Sequence, residues 1–272
     1  MNMQFQQYDP HPLLKNYIEK IWVFNSSGPI PREDMKLIVP TGRIKLMIPF
    51  RNVATVKING PIHQSPGNTI TLIGLTDIPF LVNPEKDDPS GTIGIEFNAR
   101  GAYRFFRLNY QGIKNQLHLF TDILGGVAQQ LEEQVINAAS ASNKVALLQQ
   151  FLIKQFWGCK EDPVFDFCVE KIRISKGRIP VNELERQTGY SSRWLNMKFL
   201  ERAGISPKNL SAIIRFQEVY RALTSGRARG FDLYDYYYDQ SHFIKDFKRF
   251  TGMPPVKLTK IVNDFGRQYH KG

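Results

Sequence analysis

The stretch from Tyr237 to Pro255, YYDQSHFIKDFKRFTGMPP, constrains the fold of this chain more than any other. Phe243, Phe247 and Phe250 are spaced i, i+4 and i+7, so they form one apolar stripe on a helix. Gly252 predicts the end of that helix, and the two prolines that follow cannot continue it. The sequence therefore predicts a short amphipathic helix whose stripe packs on a small helical domain.

The other face of this helix is rich in hydrogen-bond donors and positive charge. Its residues are Gln240, Ser241, His242, Lys245 and Lys248. A helix with such a face fits the major groove of DNA. An ordinary solvated surface helix has the same pattern, so periodicity alone leaves both interpretations open.

The charge of the chain favours a polyanionic partner. The 272 residues contain 36 Lys and Arg against 25 Asp and Glu, a net charge of +11. From residue 158 onward there are 21 basic and 13 acidic residues, a difference of +8; residues 1–157 hold 15 and 12, a difference of +3. Such an excess is typical of proteins that bind nucleic acid or an anionic membrane. No apolar run approaches the roughly 20 residues of a spanning helix and no signal peptide is found, so we expect a cytoplasmic protein with no membrane partner.

Residues 1–157 are predicted to form a mostly β domain with flanking helices. In RIKLMIPF, residues 43–50, apolar positions alternate as in a half-buried strand. Further strands are predicted at Val53–Ile58, Ile70–Leu75, Phe80–Val82 and Thr92–Phe97. Short strands separated by Gly, Pro and Asn indicate a small barrel or sandwich.

Helices are predicted on both sides of these strands. Leu13, Tyr17 and Ile21 have helical spacing and predict a short helix that turns into a strand. A second helical region is predicted from Gly101, opening with Phe105 and Phe106 and including Val127, Leu131, Val135 and Ile136. Residues 144–157 carry a further stripe, at Val145, Leu148, Leu152 and Phe156. That last helix either packs in the core of its own chain, which the sequence favours, or pairs with its copy in a dimer.

A domain boundary is predicted at GCKEDP, residues 158–163. Asp162 and Pro163 suit the N-cap and first position of a new helix, which is predicted to end at Gly177. The residues predicted to be buried on that helix are Phe167, Cys168 and Ile172.

A helix-turn-helix is predicted next. Val181–Thr188 forms its first helix, Gly189-Tyr190 the turn, and Ser191 the N-cap of the second helix, which ends near Gly204. The second helix is predicted to bury Leu195 and Phe199 and to expose Arg193, Asn196 and Lys198.

A long connecting helix follows. Ser206-Pro207 is predicted to begin it and Thr224 to end it. Its roughly 18 residues reach about 27 Å, close to the ~34 Å between successive major grooves on one face of DNA. Two recognition helices held apart by this helix would match that spacing.

These segments together resemble the DNA-binding domain of AraC-type (AraC/XylS) transcription regulators, over about Pro163 to Leu258. DQSHFIKDFKRFTGMPP resembles the second helix-turn-helix of that family, and IPVNELERQTGYSSRWLNMKFLERAGISPKNL the first with the start of the connecting helix. IIRFQEVYRAL resembles the core of the connecting helix. YDPHPLLKNYIEKIW, VPTGRIKLMI and IGIEFNARGAYRFF resemble, over shorter matches, the partly β N-terminal domain of one subgroup.

The resemblance implies which residues contact DNA. Arg can bind guanine in bidentate fashion, and Asn or Gln can bind adenine. The residues that carry over as base contacts are Arg193, Asn196, Met197, Gln240, Ser241, His242 and Lys245. The residues placed for phosphate contacts, which add affinity without reading sequence, are Ser191, Lys198, Lys208, Lys248 and Arg249.

The sequence departs from the family pattern in three places. Met197 stands where many relatives have a basic or polar residue, which predicts weak base reading or contact with a thymine methyl. Tyr236 occupies the turn position usually held by Gly, where a left-handed conformation would be costly. The approach from Leu223 is also about two residues shorter than usual, so a short or distorted first helix is predicted in the second motif.

An enzyme is the alternative class. His11, His63 and His118 lie far apart with no His-x-His pair, which disfavours a cupin-like metal site. Neither a Gly-rich phosphate loop nor a Gly-x-Ser-x-Gly elbow is found. Glu96 in IGIEF is a candidate polar group for a ligand pocket, although a surface-facing strand position is the favoured interpretation.

The chain has only two cysteines, so they cannot supply the four cysteine ligands of a structural metal site. Cys159 and Cys168 are predicted to be two reduced thiols in a helical region. We therefore expect neither a metal nor another cofactor.

The sequence thus predicts a sequence-specific, double-stranded DNA-binding transcription regulator and not an enzyme. Residues 1–157 are its expected effector-sensing or dimerisation domain and residues 158–272 its DNA-binding domain. The resemblance adds a small-molecule effector, RNA polymerase and a second copy of the chain as candidate partners, and activation as the candidate mode of regulation. The alternative is a small-molecule-binding or enzymatic β-domain protein whose basic helical domain binds nucleic acid only non-specifically.

Overall fold

The computed structural model describes residues 3–30, 36–58, 60–84, 88–156, 160–224 and 233–258. Its strands are β1 (Met3–Tyr8), β2 (Ile18–Ser26), β3 (Lys36–Ile38), β4 (Ile44–Arg51), β5 (Ala54–Ile58), β6 (Ile62–Ser65), β7 (Thr71–Ile73), β8 (Phe80–Pro84), β9 (Gly91–Phe97) and β10 (Leu117–Leu119). Its helices are α1 (Phe120–Leu124), α2 (Gly126–Asn137), α3 (Ala141–Phe156), α4 (Pro163–Ile174), α5 (Val181–Thr188), α6 (Ser192–Ala203), α7 (Pro207–Thr224), α8 (Gln240–Thr251) and α9 (Pro255–Leu258). The strands come first and the helices after them, which confirms the predicted α+β class.

The strands form two antiparallel sheets. The larger has the order β1-β2-β9-β4-β7-β10 and the smaller the order β3-β8-β5-β6. Side chains of both sheets pack together, with Trp22 and Met47 of the larger sheet against Val56 and Phe80 of the smaller. The strands predicted at residues 43–50, 53–58, 70–75, 80–82 and 92–97 are confirmed as β4, β5, β7, β8 and β9.

The central strands β2, β4 and β9 of the larger sheet are largely buried on both faces, which explains one wrong prediction. In β2, Ile21 and Val23 belong to the core under the helices, whereas Trp22 and Phe24 face the smaller sheet. Because successive side chains point to opposite faces, such a strand has no alternation of apolar and polar residues. The apolar run was therefore open to a helical interpretation, and the helix predicted over residues 13–21 is instead a turn followed by β2.

The helix predicted to open at Phe105 and Phe106 is also absent from the described residues there. Ala102–Arg104 forms a single 3-10 turn, and the next regular element is β10. The Phe106 ring packs edge-on against Phe97 with 5.9 Å between centroids. These aromatic residues anchor a turn in the core and are not part of a helical stripe.

The predicted helices before residue 157 are otherwise confirmed as α2 and α3. Val145, Leu148 and Leu152 of α3 are at most 2% exposed and belong to the main core of the chain. This position favours core packing over pairing with a second copy.

The first helix of the C-terminal region begins as predicted. The Asp162 carboxylate accepts a hydrogen bond from the Phe165 backbone N–H at 3.3 Å, and Pro163 follows as the first helical residue. Phe167, predicted to be buried, is 38% exposed, and Phe165 is buried instead. The side of α4 that faces the core carries Phe165, because Phe165 packs on Phe199 of α6 with 4.8 Å between the ring centroids.

Of the two cysteines, Cys168 lies among the described residues. Cys168 is a free thiol, and burial raises its pKa to about 11, so it stays protonated at neutral pH. Cys159 lies outside the described residues, as does the start of the predicted domain boundary at residue 158. The division into domains at that boundary stays a prediction.

We call residues 3–156 the β part and residues 160–258 the helical part. One cluster of buried side chains extends from Leu14 in the β part to Phe250 in α8. The buried Gln217 side chain of α7 donates a hydrogen bond to the Pro40 carbonyl at 2.5 Å. The two parts therefore pack closely. Within the described residues, every helix is too short or too polar to cross a membrane.

Candidate nucleic-acid interface

The first helix-turn-helix consists of α5, a turn and α6. Gly189 ends α5 in the left-handed conformation, at φ 75°, and its N–H donates to the Glu185 carbonyl at 2.8 Å. The Ser191 hydroxyl then accepts from the Trp194 N–H at 3.3 Å and begins α6. Both features follow from local sequence, because Gly tolerates a positive φ and Ser caps a free N–H. The predicted bounds of both helices are confirmed.

One side of α6 is exposed. Leu195 and Phe199 are at most 1% exposed and fix the opposite side in the core, while Met197 is 53% exposed. One open concavity, with a volume of about 790 Å³, is lined by the predicted contacts Ser191, Arg193, Asn196 and Met197. Asn109 and Gln111 of the β part line the same concavity, and local sequence gave no signal for them.

Lys198 is less available than predicted. Its side chain is 22% exposed, and its Nζ lies 3.5 Å from Asp162 and 3.4 Å from Glu201. Asp162 also accepts a hydrogen bond from Arg202 at 3.0 Å. Burial raises the pKa of Asp162, but Arg202 and the helix N–H outweigh that effect and hold the pKa below its usual value. A phosphate would have to compete with these carboxylates for Lys198.

The second unit is organised differently. Within the described residues it starts with a 3-10 turn at Leu233–Asp235 and continues with α8. Asp239 caps α8 by accepting from the His242 N–H at 2.7 Å. The predicted stripe is confirmed, because Phe243, Phe247 and Phe250 are 7%, 0% and 0% exposed.

Tyr236 does not adopt the left-handed conformation that would be costly for a non-glycine residue at this turn. Tyr236 is not among the described non-glycine residues with positive φ, which are Asn52, Asn68, Asn115 and Lys176. Its ring faces the Arg178 guanidinium, 5.6 Å away. The shortened approach to this motif, residues 225–232, lies outside the described residues.

Most of the polar face of α8 is exposed. Gln240, Ser241, Lys245 and Lys248 point to solvent, and Lys208 at the start of α7 is also exposed. For these three lysines, no ion pair is found within the part of the chain that the structure describes.

His242 also reaches back into the protein. Its Nε2 lies 3.7 Å from the Asp246 carboxylate, and its ring packs edge-on against Tyr237 at 5.2 Å. Arg215 of α7 pairs with the same carboxylate at 3.6 Å and stacks over the Tyr237 ring at 5.1 Å. This network joins α8 to the connecting helix.

Arg249 is held by the β part. Its guanidinium donates to the Asp77 carboxylate at 2.7 Å, in the loop after β7. Asp77 also accepts from Lys114 and Asn115, each at 2.8 Å, and from Asn209 at 3.2 Å. Burial raises the pKa of Asp77, but the bonds from Lys114 and Asn115 outweigh it and the pKa is lowered. Nothing in local sequence marked Asp77, because Arg249 is 172 residues away.

Glu96 is not on the surface, contrary to the favoured prediction. It is 2% exposed, and its carboxylate accepts from Arg43 at 2.8 Å and from the Trp22 ring N–H at 3.1 Å. Lys45 is its cross-strand neighbour in β4. Burial raises the pKa of Glu96, yet Lys45 and Arg43 lower it to about 2, and burial lowers that of Lys45 to about 8. The group is an internal ion cluster of the sandwich.

The arrangement as a whole brings the predicted contacts into two sets. One set lies on α6 and the other on α8, and the 18-residue helix α7 connects the two units. The structure engages Lys198, Arg249 and His242 in internal contacts and leaves the other predicted α6 and α8 residues exposed. Their assignment to DNA contact stays a prediction. Among the described residues, no group of His, Cys, Asp and Glu could hold a metal ion.

Comparisons with known proteins add the following. Residues 6–118 match the model of a domain of unknown function, DUF6597. The chain is similar to ToxT from Vibrio cholerae, at 14% identity over 95% of this chain and 99% of that chain, with a TM-score of 0.47. ToxT in its unsaturated fatty acid-bound form is 12% identical over 94% and 98%, with a TM-score of 0.48. A Cupin_2 domain of an XRE family transcriptional regulator from Enterobacter cloacae is 12% identical over 35% and 94%, with a TM-score of 0.28.

No curated protein matches the chain. The domain of unknown function covers less than half of the chain, and the three TM-scores are below 0.5. These similarities do not establish a function for the chain.

Proposed function

We propose that the chain is a transcription regulator of the AraC type that binds double-stranded DNA with α6 and α8 in successive major grooves. The observation that carries the proposal is the repetition of one design. Each of these helices has 12 residues, a side-chain N-cap, a left-handed glycine at its end, one buried apolar side and one exposed polar side. α7 joins the two units, and its 18 residues span about 27 Å.

The exposed side chains suit the two kinds of contact that DNA requires. Arg193 and Asn196 on α6 and Gln240 on α8 can form bidentate bonds to base edges, each worth about 1–3 kcal/mol of discrimination. Lys208 and Lys248 are exposed cations suited to phosphates. The net charge of +11 is consistent with this partner.

The same proposal assigns roles to the two regions. Residues 158–272 bind DNA, and residues 1–157 sense an effector or mediate self-association. The protein acts in the cytoplasm without membrane contact or enzymatic activity, as an activator that contacts RNA polymerase. The packed interface between the β part and the helical part supports an influence of the sensing region on the DNA-binding region. Contacts such as the one between Asp77 and Arg249 join the two directly.

The experiment that tests the proposal is selection of duplexes bound by the full chain from a random pool, at two salt concentrations. We expect an enriched motif with two half-elements about one helical turn apart. Arg193→Ala should relax preference in one half-element and Gln240→Ala in the other, each by about 1–3 kcal/mol.

A matched control is Lys57→Ala, which removes an exposed cation from β5. It should leave the motif unchanged. Binding without enrichment, and lost on adding salt, would contradict the proposal and favour a β-domain protein that touches phosphates only non-specifically.

A further inference from the structure

A cleft of about 490 Å³ lies between the two parts, away from the predicted DNA-contacting residues. One wall comes from the β part, at residues 15–19, 41–43 and 98–100. The other wall comes from α4 with the residues just after it and from α7. None of the residues on α6 or α8 belongs to its lining. We call it the basic cleft.

The lining has an excess of positive charge. It contains six cationic side chains against the two carboxylates of Glu19 and Glu218. The six cations are Lys15, Arg43, Arg100, Arg173, Lys176 and Arg221. They come from both walls, so a molecule in the cleft would have cations on either side.

Carboxylates are shared between these cations. Glu218 lies 3.4 Å from Lys176 and 3.3 Å from Arg221. Glu170, just outside the lining, lies 2.5 Å from Arg173 and 3.8 Å from Arg100. These contacts leave the cations with donors to spare, because a guanidinium has five N–H groups and the Lys176 ammonium has three.

Two further groups in the cleft are suited to a ligand. Lys15 is exposed and forms no ion pair within the described residues. The Thr41 hydroxyl oxygen is buried and has no hydrogen-bond partner among the described residues. An unpartnered buried hydroxyl is unusual and is explained if a ligand or its water completes it.

We propose that the basic cleft binds a small polyanion, a molecule with at least two phosphate or carboxylate groups. Arginine side chains bind both groups through paired N–H donors. Ala99, Val169, Ile174 and Ile214 are the main apolar lining residues, so most of the lining is polar. This polarity favours a compact anion over a molecule with a long apolar tail.

The apolar cavity of the β part is a poorer candidate. It has a volume of only about 50 Å³ and is lined by Trp22, Phe24 and Met47 among others. The volume of the basic cleft lies within the about 300–1,000 Å³ of typical small-molecule sites.

The test measures binding to the full chain by calorimetry at low ionic strength. Inorganic pyrophosphate and citrate are the probes, and acetate and glucose are the controls. We expect pyrophosphate or citrate to bind and acetate and glucose not to. The tighter probe of the two identifies phosphate or carboxylate as the preferred group. A saturating probe should also raise Tm by roughly 5 °C.

Variants locate the binding. The double variant Arg100→Gln, Arg221→Gln should raise Kd at least ~10-fold, because it removes two guanidinium groups that can each bind an anion through paired N–H donors. Lys57→Gln with Arg186→Gln removes the same charge from exposed positions outside the cleft and should change Kd less than about 2-fold. Equal weakening in both double variants, or no binding of either probe, would overturn the proposal.

Two variants guard against a purely structural effect. Arg100→Lys with Arg221→Lys keeps the charge and should restore part of the affinity. Glu218→Gln removes a competing carboxylate and should tighten binding a few-fold; weaker binding in that variant would count against the proposal. The measurement uses no DNA, so it can succeed even if the selection from a random pool fails.

Discussion

The unit that contains α6 and the unit that contains α8 end these helices in the same way but meet the β part differently. Gly204 ends α6 at φ 76° and Gly252 ends α8 at φ 75°. A Cβ on Gly204 would lie 2.2 Å from the Tyr110 carbonyl oxygen, whereas a Cβ on Gly252 would only approach Pro79 at 3.8 Å. The end of α6 is thus packed on the backbone of the β part, and the end of α8 has room.

The two units also differ in which part of the protein supplies the carboxylate that pairs with their cations. Lys198 of α6 is paired with Asp162, which belongs to the helical part itself. Arg249 of α8 is paired with Asp77 of the β part. The first unit is therefore fixed to the β part by close backbone packing and the second by a carboxylate. The close backbone contact depends on the absence of a side chain at Gly204, whereas the ion pair depends on the charge of Asp77.

The largest effect should come from the glycine comparison. Gly204→Ala must clash with the Tyr110 backbone in addition to its unfavourable φ, and we expect a loss of more than about 3 kcal/mol in the free energy of unfolding. Gly252→Ala should cost only about 1–2 kcal/mol. Gly189→Ala is the matched control, because it has φ 75° and no atom within 4 Å of the added Cβ. Denaturant unfolding measures all three, and equal losses at the three positions would contradict the comparison.

A smaller effect is expected from Asp77→Asn. The change removes the charge that holds Arg249 and Lys114, and we expect a loss of about 1–3 kcal/mol at neutral pH. Hydrogen exchange should increase in α8 and not in α6. Asp88→Asn, at an exposed position, is the control and should change neither quantity.

The effect of Asp77→Asn should also depend on pH. The folded pKa of Asp77 lies below the usual value of about 3.9 for an aspartate, so its stabilisation is present above about pH 4 and is lost as the pH falls through the folded pKa. The difference between parent and variant should shrink below pH 4. A constant difference down to pH 2 would show that the charge of Asp77 is not what stabilises the second unit.

The smallest effect is expected from Tyr236→Gly. Because Tyr236 does not have a positive φ, a glycine at this position relieves no strain. It removes the contact with Arg178 and adds chain entropy to the unfolded state, so we expect a loss of about 1 kcal/mol. A gain in stability would restore the interpretation that this turn is strained.

The helical part was largely predictable from sequence. Asp162 with Pro163, Gly189 with Ser191, and Gly252 with the following prolines act on atoms within a few residues, so their consequences can be read locally. The apolar stripes of α6 and α8 are likewise set by helical geometry. These signals gave the bounds of α5, α6 and α7 correctly.

The β part was less predictable. β1, β3, β6 and β10 were not predicted, and the segments around Tyr17 and Phe105 were assigned to helices. β2 of the larger sheet is covered on both faces, so it lacks the alternation by which a strand is identified, and short edge strands carry little signal of their own.

The sequence by itself determined where the C-terminal helices begin and end and which of their sides is apolar, because caps and periodicity are properties of neighbouring residues. Only the tertiary structure decided the state of the charged side chains. From sequence alone, Lys198 and Arg249 are equally free and Glu96 is a surface residue. In the structure, Asp162 lies beside Lys198, Asp77 beside Arg249 and Arg43 beside Glu96. Those partners are 36, 172 and 53 residues away, and the fold brings them together through packing that no local pattern records.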